Sequence, residues 1–147
     1  MDRLSENRRS QNMSKIRSTN TRPEMAVRSL LHSVGFRFRL HVKALPGKPD
    51  IVLRKHSLVL FVNGCFWHRH QGCRFAYETK SRVSFWKQKF ADTVKRDERN
   101  VALLKSAGWK VGVVWECETK SEKKLRDTLE RLLRQLDIPL RNVGPAS

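Results

Sequence analysis

Residues 49–73 read PDIVLRKHSLVLFVNGCFWHRHQGC. Two short apolar runs, Ile51–Leu53 and Leu58–Val62, flank Arg54–Ser57 and read as the strands and turn of a β-hairpin. Pro49-Asp50 opens the first run, and the second empties into a loop dense in cysteine, histidine and aromatic residues. One segment therefore offers a hard-cation ligand at Asp50, a soft-metal cluster, a histidine for proton transfer and two adjacent aromatic rings.

On the N-terminal side, Thr21-Arg22-Pro23-Glu24 has the Ser/Thr-x-x-Glu pattern that caps a helix start, with a proline tolerated in the first turn. Val27, Leu30, Leu31 and Val34 follow at helical spacing, and Gly35 suits the stop. Phe36, Phe38, Leu40 and Val42 alternate with polar residues and predict a half-buried strand. Lys43–Pro49 is a Pro/Gly loop. On the C-terminal side, 63–83 reads as an unusually long loop, a mark of function or of a metal staple. A helix over 84–106, a strand over 109–115 and an amphipathic helix over 121–136 complete the order α-β-β-β-α-β-α. That order predicts an α/β (α+β) domain, a central mixed β-sheet flanked by helices. The domain is placed at 21–137, between a basic arm (1–20) and a short tail (138–147).

Thirty-one Lys and Arg against 14 Asp and Glu give the 147-residue chain a formal net charge of +17. Such a field concentrates polyanions. No apolar run reaches the roughly 18 residues of a membrane span, and the polar N-terminus lacks a signal-peptide h-region. Three cysteines make an odd number for a disulfide framework and fit reduced thiols in a cytoplasm.

Cys65-x4-His70-x2-Cys73 supplies three ligands in one loop, and Cys117 follows the strand holding Trp115. Zinc closes structural sites with four such S and N donors; His68 or His41 could stand in for His70. Asp50 is the candidate Mg²⁺ carboxylate, with a backbone carbonyl near Val62 and Asn63 within reach. Glu24 either serves the cap alone or turns inward as a second acid. Asp97 falls on the apolar stripe of its helix, where it meets an arginine or helix end, or orients a histidine. His68 is a structural histidine or a general acid/base. Phe66 and Trp67 could enter between base steps; Trp86 joins them or begins a core stripe.

GKPDIVL at 47–53, VNGCFWHRHQGC at 62–73, Phe85-Trp86, KRDERN at 95–100 and GWKVGVVWECE at 108–118 resemble the Vsr family, the bacterial very-short-patch repair mismatch endonucleases, over about residues 8–135. The resemblance implies a restriction-endonuclease-like fold, Mg²⁺ for chemistry, a structural Zn²⁺, and nicking of the thymine strand 5′ to the T of a T·G mismatch left by deamination of 5-methylcytosine. By position it implies Asp50 and the Val62 carbonyl as Mg²⁺ ligands, and His68 as general acid/base with Glu24 as a further essential acid. Cys65, His70, Cys73 and Cys117 match the zinc ligands, and Phe66, Trp67 and Trp86 the intercalating wedge. Two positions depart from the family pattern, in which threonine and histidine precede the glycine. A backbone carbonyl is indifferent to Val62; Asn63 exchanges a titratable group for an amide and stands among the candidate catalytic residues by position. One extra residue also lies between His70 and Cys73.

The residues and the resemblance together imply a monomeric, zinc-stapled, Mg²⁺-dependent nicking enzyme in the bacterial cytoplasm, at the nucleoid. Its partner is double-stranded DNA with a T·G mismatch, and mismatch-repair proteins are candidate protein partners. The alternatives are a restriction-like nuclease on undamaged duplex and a zinc DNA-binding module without catalysis.

Overall fold

The computed structural model describes residues 20–139; most of the basic arm and of the tail lie outside that range. Strands β1 (Arg39–Leu40), β2 (Ile51–Leu53), β3 (Leu58–Asn63) and β4 (Lys110–Trp115) form one sheet in that spatial order. The first two pairings are antiparallel and β3 runs parallel to β4, so the sheet is mixed. Helices α1 (Arg22–Ser33), α2 (Val83–Ser106) and α3 (Glu122–Gln135) flank it.

The apolar runs are uninterrupted because the strands are covered on both faces. Ile51, Leu53, Leu58, Leu60 and Val114 face one core, shared with Val27 and Leu31 of α1 and Leu125, Leu129 and Leu133 of α3. Val52 and Val59, the alternate residues, face the opposite way toward Leu104 of α2. Ile138, one residue past the expected end of the domain, is also buried in the first core. Gly112 lets α3 approach β4: a Cβ there would lie 2.7 Å from Leu60 Cδ2 and 2.9 Å from Leu132 Cδ2.

The α1 start follows its sequence. Thr21 Oγ1 accepts from the Glu24 amide, and the Glu24 carboxylate reaches back to the Asn20 amide at 3.1 Å. The strand predicted over 36–42 is a correction. Only Arg39 and Leu40 join the ladder. Phe36 is buried and Phe38 partly so without pairing, and the chain turns at His41, whose φ is +48°. Apolar alternation reports burial, and here burial extends past the hydrogen-bonded ladder.

Candidate active site

Asp50 immediately precedes β2, beside the far end of β3. The Val62 amide donates to Asp50 Oδ2 at 2.7 Å, which fixes the carboxylate against the neighbouring strand. Burial raises the Asp50 carboxyl from 3.8 to about 6; the Val62 amide opposes this, the Glu24 charge adds to it, and His41 and His68 oppose it. Glu24 is 1% exposed. Its Oε2 lies 2.7 Å from His41 Nε2 and 3.4 Å from Arg28 Nη1. Ligand atoms of Glu24, His41 and Asp50 all fall within 4.8 Å of one another. Glu24 is therefore both cap and inward acid.

Asp50, Val62, Asn63, His68 and Asp97 line one cleft of about 1210 Å³, with Lys48 and Lys105 on its walls. His68 comes from the loop and Asp97 from α2; His68 Nδ1 lies 2.6 Å from Asp97 Oδ2. A carboxylate on Nδ1 fixes the ring orientation and leaves Nε2 as the proton-exchanging atom. Of the two readings of Asp97, the structure shows the one that orients a histidine.

Beside the cleft, the parallel register Asn63↔Trp115 brings the ends of β3 and β4 out together, with Cys65 and Cys117 following each. The Cys117 amide donates to Cys65 Sγ at 3.4 Å, and the Cys65 amide to Glu116 Oε1 at 3.3 Å. His70 stacks on Trp115 with centroids 4.2 Å apart and planes 8° from parallel. Its Nδ1 lies 3.6 Å from Cys65 Sγ and 3.5 Å from Cys117 Sγ, and Cys73 completes a group within 4.8 Å. Tetrahedral zinc with bonds of about 2.3 Å to sulfur and 2.0 Å to nitrogen sets S and N about 3.5 Å apart, so the donors fit. Burial pushes the Cys65 thiol up to about 12, so this group would need a cation beside it to sit there as a thiolate. His68 and His41, the other histidines considered, are engaged by Asp97 and Glu24.

Phe66, Trp67 and Trp86 meet in one aromatic cluster between the loop and α2. Their centroids are 5.1 Å (Phe66–Trp67), 6.1 Å (Phe66–Trp86) and 5.8 Å (Trp67–Trp86) apart, and all three are half-buried. Trp86 is thus neither a core residue nor a free ring. Two residues here, Tyr77 and Arg69, carry no signal in the sequence, and a third, His41, reads there only as a stand-in metal ligand. Tyr77 is 62% exposed, with its ring 4.9 Å from Phe66. Arg69 donates to the carbonyls of Phe66, Ala76 and Tyr77 and lies 4.0 Å over the Phe90 ring, tying the loop to α2. No local pattern signals such an arginine, because its partners are spread along the loop and the helix.

Comparison with known proteins gives this arrangement a class, that of DNA endonucleases with a restriction-endonuclease-like fold. The family model described as "DNA mismatch endonuclease Vsr" matches residues 1–74. The Type II nicking enzyme V.XorIIP of Xanthomonas oryzae pv. oryzae is 54% identical over 88% of this chain and 97% of its own length. The Type II nicking enzyme V.NmeAIP of Neisseria meningitidis is 43% identical over 92% and 96%. The DNA mismatch endonuclease Vsr of Escherichia coli is 39% identical over 88% and 81%. The chain belongs to the Vsr family.

Proposed function

We propose that this endonuclease nicks the thymine-bearing strand 5′ to the T of a T·G mismatch, by Mg²⁺-dependent phosphodiester hydrolysis, as a monomer stapled by a structural Zn²⁺. The observation that carries the reading is the shared cleft: the Asp50 carboxylate and the His68–Asp97 pair line it together. The E. coli relative, named a mismatch endonuclease, supports the substrate.

Asp50 and the Val62 carbonyl would hold Mg²⁺, an oxygen-only set suited to a hard cation. The ion would supply positive charge at the scissile phosphate and acidify a water there. His68 Nε2 takes the proton of the attacking water or assists the departing oxygen, while Asp97 holds the ring in register. Phe66 and Trp67 sit next to His68 in sequence, so rings entering the base stack would bring His68 to the backbone beside the mismatch. A mismatched pair costs less to unstack than a matched one, which gives a wedge its selectivity. Cys65, His70, Cys73 and Cys117 would hold Zn²⁺ and keep the loop in one shape.

The test compares nicking of T·G and T·A duplexes of equal sequence in Mg²⁺ and in EDTA. The T·G duplex is expected to be cut on the thymine strand, at least about 100-fold faster, as follows from a discrimination of about 3 kcal/mol, and only with the cation. Equal cutting of both duplexes would instead make the enzyme a nickase without preference for the mismatch. Binding without nicking would leave a DNA-binding module.

A further inference from the structure

We propose that His41 is a positioning residue of the nicking centre, holding the Glu24 carboxylate of α1 against the sheet beside Asp50; the proposal rests on the reading of Asp50 as the cation-binding carboxylate. Three observations carry it.

The first is backbone geometry. His41 follows the last paired residue of β1 and has φ +48°, a region that costs a side-chain-bearing residue and that histidine tolerates better than most. Non-glycine residues held there are worth examining for function. The second is a double tether. The His41 amide donates to the Asp50 carbonyl at 3.0 Å, while its Nε2 lies 2.7 Å from Glu24 Oε2. One residue thus touches both acids, the backbone of one and the side chain of the other.

The third is how Glu24 is held. Among the described residues, its other polar partners are Asn20, Thr21 and Arg28, all on α1 or its cap. Those contacts orient Glu24 within its own helix. Among the described residues, His41 alone ties it by a polar contact to the sheet beside Asp50. Two carboxylates close together repel each other, and the ligand atoms of Glu24, His41 and Asp50 lie within 4.8 Å of one another. Removing the imidazole would free Glu24 to move away from Asp50 and leave the cation site unset, without touching the surfaces that meet DNA.

The experiment uses His41→Gly and His41→Gln in the full chain. Glycine adopts positive φ without strain, so the turn survives and only the ring is lost; glutamine returns a donor. The readouts are single-turnover nicking of a T·G duplex against Mg²⁺ and against Mn²⁺, duplex binding in EDTA, and melting temperature. Wild type must nick first; if it does not, the proposed function fails and not this inference. His41→Gly is expected to lower nicking at limiting Mg²⁺ by about 10–100-fold, the usual effect of losing a side chain that supports a metal site from outside its ligands. Half-saturation should move to higher Mg²⁺, and Mn²⁺, which binds such sites more tightly, should narrow the deficit. Binding in EDTA should stay within about twofold of wild type, and His41→Gln should recover part of the rate. Wild-type Mg²⁺ dependence in His41→Gly overturns the proposal. So does a loss equal in both cations that tracks a lower melting temperature or weaker DNA binding, because His41 would then only support the fold.

Discussion

Burial and the Glu24 charge hold the Asp50 carboxyl up near 6, against 3.8 for a free one, so its ionisation works against the fold. The folded state binds this proton more tightly than the unfolded chain does. The stability that Asp50 contributes is therefore complete below about pH 4 and is lost as pH rises through about 6. Asp50→Asn keeps an oxygen for the Val62 amide and removes the charge. In EDTA at pH 8 the variant should be more stable than wild type by about 1–2 kcal/mol, a full two-unit shift being discounted for a half-buried group. The gain should shrink through pH 6 and vanish near pH 4, while nicking is lost throughout. Thermal melts across that range decide it, and a less stable variant at pH 8 would show that the carboxylate is not held against its preference. Mg²⁺ should raise the melting temperature of wild type and leave that of Asp50→Asn nearly unmoved.

The loop between β3 and α2 has no ladder of its own, so its shape depends on the thiol–imidazole cluster, on Arg69 and on the aromatic contacts to α2. Cys65, fully buried, is the cluster's anchor. Cys65→Ser should lose bound zinc and lower the melting temperature by at least about 10 °C, a value that chelation of wild type should approach. Unchanged zinc content and melting temperature would remove Cys65 from the cluster. At the sheet, Gly112→Ala forces a methyl into Leu60 and Leu132 and should cost about 1–3 kcal/mol, read as a lower denaturant midpoint at constant slope. These two elements also differ in how far they could be read. The hairpin strands and all three helices were legible, because double-faced burial leaves continuous apolar runs and Thr21, Ser121 and Gly108 punctuate their ends. The grouping of Cys65, His70 and Cys73 was legible as well, since three of the cluster's four members are local. The short β1, the turn at His41 and the Arg69 clamp were not. Each depends on partners brought close only by the finished fold: Glu24 is 17 positions from His41 in the chain, and Arg69 reaches Phe90 on another element.

Across the whole molecule, charge and discrimination are separable. A net charge of +17 draws the enzyme to any duplex, and phosphate contacts carry no sequence information. On the proposed function, selectivity comes instead from ring insertion by Phe66, Trp67 and Trp86, which cluster next to the His68 loop. The two contributions respond differently to salt. Raising monovalent salt from about 50 to 200 mM should weaken binding to T·G and T·A duplexes alike, by about tenfold or more if several phosphates are neutralised. The ratio of the two affinities should hold, because unstacking and ring insertion release no counterions. Binding titrations in EDTA on both duplexes over that range provide the measurement. A ratio that collapses toward one as salt rises would place mismatch discrimination in the basic surface, and the aromatic cluster would then be packing that braces the loop and nothing more.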